Sequence, residues 1–306
     1  AMMVPLFKEQ ADSMIERLHA PTEVRFALNG LATAAAEGDS VEAGELVARS
    51  QNGTVGRRVL HSPLTGEINS IRDGALTISG QWVDHQPATN GHDIEALTPL
   101  EIVARARDAG LVGMGGAMYP THLKLGDDRP LDWVIINGCE SEPFMSSDHR
   151  VLAERRDEVE SGMRLAMRAV GAEEGRIVTE KDGYLSGYDR FLIREVLGRE
   201  VPPGGVPHDV GVVVFNVQTA RALHHAVFAR KPLVDRVITV AGDAFGRRGN
   251  FLVPIGTTVG HILDVCQCDM RRAAAIILGG PMMGIEADVD TPITAGSGGV
   301  LALTRD

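Results

Sequence analysis

The chain is 306 residues long, 44% apolar, 23% charged and 4% aromatic, with 35 glycines, three cysteines and a net charge of −11. At roughly 100–200 residues per domain, two or three domains are expected, and the apolar content excludes a disordered chain. The acidic balance excludes a nucleic-acid binder held by phosphate contacts, three cysteines exclude a secreted disulfide scaffold, and no stretch reaches the ~20 apolar residues of a membrane span.

The leading Ala1-Met2-Met3 reads as a tag remnant before a natural start, with no basic-then-apolar signal peptide behind it. The cysteine usage points to a reducing, cytoplasmic compartment. Residues 1–85 read as β-rich. Gly38-Asp39 and Gly44 supply turns, Pro63 leads another, and Ile68, Ile71, Leu76 and Ile78 flank Asp73-Gly74 as a hairpin. Residues 86–98 form a polar linker. Thr98, Pro99 and Glu101 form a capping signal for a helix at about 99–109, closed by Gly110.

From 110 to 230 the pattern alternates. Trp133-Val134-Ile135-Ile136 is a buried-strand run, Val151 to Val170 an amphipathic helix, Ile177-Val178 a brief strand, and Phe191 to Leu197 a short helix. Val210 to Phe215 is a second buried strand and Gln218 to Phe228 its following helix, so an α/β layer is expected. From 231 onward come a strand at 236–240, a strand near 249–254, a helix from Val259 to Val265 and a strand from Ala273 to Leu278. That order suits a small β-grasp-like unit.

The segment from Gly110 to Lys124 carries the most chemistry. Gly113, Gly115 and Gly116 fall within four positions, which lets the backbone approach a ligand and turn N–H groups inward as a phosphate nest. Lys124 adds a point charge for the same anion. The Gly-Lys-Ser/Thr ending of a P-loop is absent, and no strand immediately precedes the loop as in a Rossmann fingerprint. A plain structural turn stays open as the alternative.

With the segments downstream, Gly113-Met114-Gly115-Gly116-Ala117-Met118-Tyr119-Pro120-Thr121-His122-Leu123-Lys124 resembles the flavin loop of the respiratory complex I flavin subunit and of the C subunit of the Rnf electron-transport complex. Asn137-Gly138-Cys139-Glu140-Ser141-Glu142-Pro143 is similar to the next signature of that superfamily. The 197–205 and 214–219 segments and Gly279-Gly280-Pro281-Met282-Met283-Gly284 resemble the Rnf branch. Microcompartment cobalamin reductases share the layout.

The resemblance implies an α/β multidomain protein. It has a barrel-sandwich domain at 1–85, a Rossmann-like FMN/NADH domain at 86–230 and a soluble-ligand-binding β-grasp domain at 231–306. It places Gly113, Gly115, Gly116, Ala117 and Lys124 on FMN phosphate and ribityl. Asn137 and Glu140 fall on the ring and ribityl, with Asn216 and Thr219 as further polar contacts. Glu142 and Tyr119 fall where the family meets NADH as substrate. The implied activity is NADH-dependent oxidoreduction, with hydride passing to FMN and electrons to iron–sulfur centres. The implied partners are other electron-transport subunits or a ferredoxin-like protein, at the inner face of the membrane through those partners.

The departures from the family pattern set further expectations. Met118 places a side chain where the family has bare backbone and is expected to narrow the slot. Cys139 replaces an acid of complex I, Ser186-Gly187-Tyr188-Asp189 replaces a glycine–acid turn, and the segment 171–187 is shortened. No Cys-x-x-Cys-x-x-Cys cluster follows Gly284, and Cys139, Cys266 and Cys268 cannot supply the four thiolates of a 4Fe–4S cluster. Such clusters are therefore expected only on a ferredoxin domain removed from the end, or on a partner. The alternative is a non-catalytic scaffold or a ligand-binding relative, for a corrinoid or a protein, that has lost the NADH site.

Individual residues receive plain readings. Cys266-x-Cys268 reads as buried structural thiols and Cys139 as a buried inert one. His224 and His225 face different directions, and His122 and His149 are loop hydrogen-bonders, His122 within reach of a phosphate. Met282-Met283 packs beneath the preceding glycine turn. Asp148 caps the long helix and Arg150 forms an ion pair.

Overall fold

The computed structural model describes residues 12–51, 58–83, 93–179 and 187–305. Ala1-Met2-Met3, positions 86–92 of the expected linker, and positions 180–186 of the segment expected to be shortened lie outside the described residues. The chain is a mixed α/β protein. Among the described residues no helix is long and apolar enough to cross a membrane.

The N-terminal half of the β structure comprises β1 (Ile15–Arg17), β2 (Glu23–Ala27), β3 (Ala32–Thr33), β4 (Ser40–Val41), β5 (Leu46–Arg49), β6 (Val59–His61), β7 (Leu64–Arg72) and β8 (Ala75–Trp82). Strands β2-β8-β7-β4 form one sheet and β3-β5-β6 another. Both contribute to a core containing Val24, Val47, Leu64, Ile68, Leu76 and Ile78. The β7–β8 hairpin turns at Asp73-Gly74 with φ of 52° and 71°, the left-handed pair that a type I′ turn demands.

Next come α1 (Pro99–Asp108), α2 (Thr121–Leu125), β9 (Trp133–Asn137), α3 (Ser147–Glu154), α4 (Arg156–Val170), β10 (Glu174–Val178), α5 (Asp189–Leu197), β11 (Val212–Asn216) and α6 (Val217–Phe228). Thr98 and Glu101 close the expected capping box at the start of α1. The three strands are parallel in the order β10-β9-β11. The chain leaves β9 to one side to make β10, then returns to the other side for β11. The carboxyl ends of β9 and β11 therefore flank a point of strand-order reversal, where open α/β sheets leave a crevice.

The last sheet contains β12 (Asp235–Ala241), β13 (Gly249–Pro254), β14 (Ala275–Leu278), β15 (Ile285–Glu286) and β16 (Gly299–Leu303), with α7 (Val259–Val265) after β13. Its order is β1-β13-β12-β16-β14-β15. β1 joins from the other end of the chain, pairing Ile15 with Asn250. The sequence reading stopped short of β1 and β16, each of which takes its place in the sheet from a distant partner.

The helix expected from Val151 to Val170 is two helices. Arg155 sits outside helical geometry at φ −133°, ψ 33°. α3 packs against β1, β12 and β13, while α4 packs against α6, β9 and β10. One straight rod cannot serve both sheets, so the chain breaks between them.

Candidate functional site

The glycine loop is a closed structure built on α1. Gly110, at φ 70°, ends the helix, and Gly113 N donates to Tyr119 O at 2.8 Å while Thr121 N donates to Leu111 O at 2.9 Å. Gly116 has φ of 118°, a backbone state that disfavours any side chain. Met114 N donates to Thr219 Oγ1 at 2.9 Å, docking the loop on α6. A Cβ at Gly115 would sit 3.4 Å from Asn216 Cβ, an ordinary van der Waals contact, so the loop lies directly against the end of β11. Among the described residues, the amides of Gly115, Gly116 and Ala117 donate to no protein acceptor.

The loop forms one wall of a cleft of about 470 Å³. Asn137 and Asn216, the last residues of β9 and β11, are register partners at its floor. All eleven residues expected at the site line this cleft, as do residues 278–280, 283–285, 294 and 296–298 from the last third of the chain. Met118 does not line it. Its side chain packs against the core of the first two sheets, so the expected narrowing of the slot does not arise.

Most of the expected polar contacts already hold protein partners. Asn137 Nδ2 donates to Gly187 O at 2.8 Å, and its Oδ1 accepts from Cys139 N at 3.0 Å. Glu140 accepts from Ser147 Oγ, Asp148 N and His149 N, closing the start of α3. Asn216 Oδ1 accepts from Gln218 N at 2.9 Å, and its Nδ2 donates to Asp148. These side chains hold the walls in place.

Lys124 is held in place. Its Nζ donates to Val214 O at 2.9 Å, leaving two of its three donors. Burial lowers its pKa, with the Asp189 charge opposing. Burial likewise raises that of Asp189, against Lys124 and a hydrogen bond from Asn137.

Glu142 Oε2 accepts from Met282 N at 3.0 Å, while its Oε1 is buried without a partner, as is Thr121 Oγ1. Gly280 makes the first contact possible, since a Cβ there would lie 2.1 Å from Glu142 Oε2. Met282 and Met283 are 45% and 75% exposed. They are therefore largely exposed and do not pack beneath the glycine turn as expected.

Asp148, expected as a helix cap, is not one. The cap position falls to Ser146, and Asp148 reaches across to Asn216 and to Gln218 Nε2 at 2.8 Å. Arg150 does pair with Glu154 at 2.6 Å. His122 is buried and lies off the cleft wall, so it does not reach a phosphate there. His224 and His225 take separate partners, Ser161 and Glu158. Cys139 is buried on the wall, its thiol directed at Val178 O. Among the described residues no group of three His, Cys, Asp or Glu side chains is placed to hold a metal ion.

Sequence reasoning missed Thr121, Asp189 and Arg236 on the cleft wall. Arg236 carried a signal in hindsight: a charge at the head of an apolar strand run, where every residue of β12 is buried.

The Nuo51 FMN-binding domain model matches residues 106–184 and 176–225. The chain is 33% identical over 310 residues to the C subunit of the proton-translocating ferredoxin:NAD+ oxidoreductase complex of Clostridium ljungdahlii, covering 88% of this chain and 67% of that protein. It is 30% identical over 309 residues to the C subunit of the Na+-translocating ferredoxin:NAD+ oxidoreductase complex of Acetobacterium woodii, covering 88% and 69%. It is 30% identical over 339 residues to the C subunit of the ion-translocating oxidoreductase complex of Rhodobacter capsulatus, covering 95% and 64%. One polypeptide of an NAD+-reducing NiFe hydrogenase in the H2-reduced state superposes with a TM-score of 0.59 at 22% identity, over 69% of this chain and 47% of that one, a likeness of fold.

Proposed function

The chain belongs to the C-subunit family of ion-translocating, Rnf-type oxidoreductase complexes, and from that premise we propose that its cleft holds FMN for electron transfer from NADH. The observation that carries the reading is the convergence of the eleven expected residues on one crevice at the reversal between β9 and β11, within the stretch matched by the FMN-binding model. The donor set fits such a group. Three loop amides without protein acceptors and the spare donors of Lys124 suit a phosphate, and the unpartnered Thr121 Oγ1 suits a polar edge. The cleft volume of about 470 Å³ falls within the range of cofactor sites.

When bound, FMN supplies hydride acceptance and release of single electrons. The residues supply position. Gly113, Gly115, Gly116, Ala117 and Lys124 hold the anionic end. Asn137, Glu140, Asn216 and Thr219 keep the walls at a fixed spacing through their protein hydrogen bonds. Glu142 and Tyr119 face the nucleotide. Electrons leave to iron–sulfur centres on a further segment or on a ferredoxin-like partner, with the protein held peripherally at the inner face of the membrane by its partners. The separate cores of the first two sheets, the parallel sheet and the last sheet suit a division into barrel-sandwich (1–85), flavin (86–230) and β-grasp (231–306) domains, except that residues 15–18 pack with the last sheet.

One observation favours the scaffold reading: Glu142, the expected nucleotide contact, already engages Oε2 with Met282 N. Reconstitution with FMN decides. A yellow protein whose visible flavin band bleaches on adding NADH supports the electron-transfer role. A flavin-loaded protein indifferent to NADH supports a relative without the nucleotide site, and failure to bind FMN removes the flavin role altogether.

A further inference from the structure

Arg236 is the largest fully buried side chain among the described residues and is 1% exposed. It is the second residue of β12 and lines the cleft. Its guanidinium is occupied only by backbone carbonyls. Nε donates to Val237 O at 3.2 Å, and Nη1 donates to Met114 O at 3.3 Å and to Ala295 O. It thereby ties the glycine loop to the last sheet. Among the described residues Nη2 donates to nothing, although Arg236 lines the cleft.

A buried guanidinium without an acid on its fork is costly. The nearby acids do not meet that need. Asp148 is bonded to Asn216 and Gln218, and Glu140 closes the start of α3. Their charges only oppose the burial that pulls the Arg236 pKa down to about 10, so the group stays a cation at neutral pH. The other cation on the wall, Lys124, faces Asp189. Neutral donors would have sufficed for three carbonyls. A buried cation with a spare nitrogen on a ligand cleft is suited to an anion.

We propose that Arg236 is a flavin-site residue supplied by the last sheet: it positions the glycine loop through Met114 O and reserves Nη2 for an anionic oxygen of the cofactor. The assignment rests on flavin binding in the cleft. The oxygen belongs either to the FMN phosphate or to the pyrimidine edge of the reduced ring, where negative charge gathers.

The test compares wild type with Arg236→Gln and Arg236→Lys, measuring affinity for FMN and for riboflavin and the midpoint potential of the bound flavin. A phosphate contact predicts that Arg236→Gln weakens FMN by about ten- to a hundredfold and leaves riboflavin nearly unchanged. A ring contact predicts that both flavins weaken alike and the potential moves to more negative values. Arg236→Lys keeps the charge and loses the fork, and serves if the Gln variant does not fold. It is expected to show the same pattern at smaller size. Equal weakening of both flavins with an unchanged potential means loop support alone and overturns the contact, as does no change at all. A wild-type protein that binds neither flavin overturns the flavin role together with this assignment.

Discussion

Replacing Gly162 by alanine tests whether α4 and α6 meet backbone to backbone. In an exposed helix interior, glycine to alanine gains about 1 kcal/mol from helix propensity. Gly162 is different because a Cβ there would lie 1.9 Å from Ala220 O, 2.5 Å from Ala220 C and 3.0 Å from Ala220 Cα. Carbon–oxygen contacts settle near about 3.3 Å, so the helices must part by more than about 1 Å. The obstacle is backbone, which cannot rotate away. Overpacking of this kind costs about 1–3 kcal/mol. Parting the helices also stretches the Arg221–Glu158 contact at 2.7 Å and the His224–Ser161 contact at 2.8 Å. We therefore expect a net destabilisation of up to about 2 kcal/mol in urea unfolding, the overpacking cost less the propensity gain. Because α6 starts at Asn216 on the cleft, FMN affinity should fall as well. An unfolding midpoint that rises on Gly162→Ala would refute the close approach, since propensity would then have won.

Acid should weaken the same interface. For Glu158, burial alone would raise the pKa, but His225 and Arg221 outweigh it and hold it at about 2, below its ordinary 4.5. Its contribution is present above pH 4.5 and lost as pH falls toward 2. Burial depresses His225 below 6.5 despite the Glu158 hydrogen bond, so at neutral pH Arg221 supplies the ion pair, and stability begins to fall once pH drops through 6.5. Urea midpoints measured against pH should decline in both windows, with His225→Gln flattening the upper one and Glu158→Gln the lower. Lys124→Met should weaken FMN about tenfold or more relative to riboflavin, read by flavin fluorescence titration; equal affinities for the two would place the phosphate elsewhere. Gly280→Ala forces Glu142 and the 279–284 loop apart, because even Glu142 Cβ would lie 2.6 Å from the new methyl. NADH-dependent flavin reduction should change while FMN affinity holds, and stopped-flow bleaching separates the two.

Much of the fold was legible because its signals are local. The Thr98–Glu101 capping box, the Asp73-Gly74 turn and the helix at 259–265 each depend on neighbours within a few residues. The site's outline was legible for the same reason: the glycine loop, Asn137 and Asn216 sit at element ends, where backbone geometry and sequence coincide. The break at Arg155 was not legible, because apolar spacing runs smoothly through 151–170 and the break answers two different sheets. The setting of Met118 and Lys124 was not legible, because a motif gives residue types and not directions. One side chain turned into a neighbouring core and the other became fixed on Val214 O.

Local chain chemistry was therefore enough for the alternation of strands and helices and for the glycine-rich loop with its inward amides. It was not enough for the order β10-β9-β11, which puts Asn137 beside Asn216, nor for the entry of β1 into the last sheet. It also left Arg236 and Glu142 without partners to be read. Those depend on contacts between residues more than a hundred positions apart, such as Arg236 with Met114 and Glu142 with Met282. A periodic pattern records which face is buried, but burial alone does not say against what. The partner is chosen only when the whole chain has packed, and there the cleft acquired its third wall.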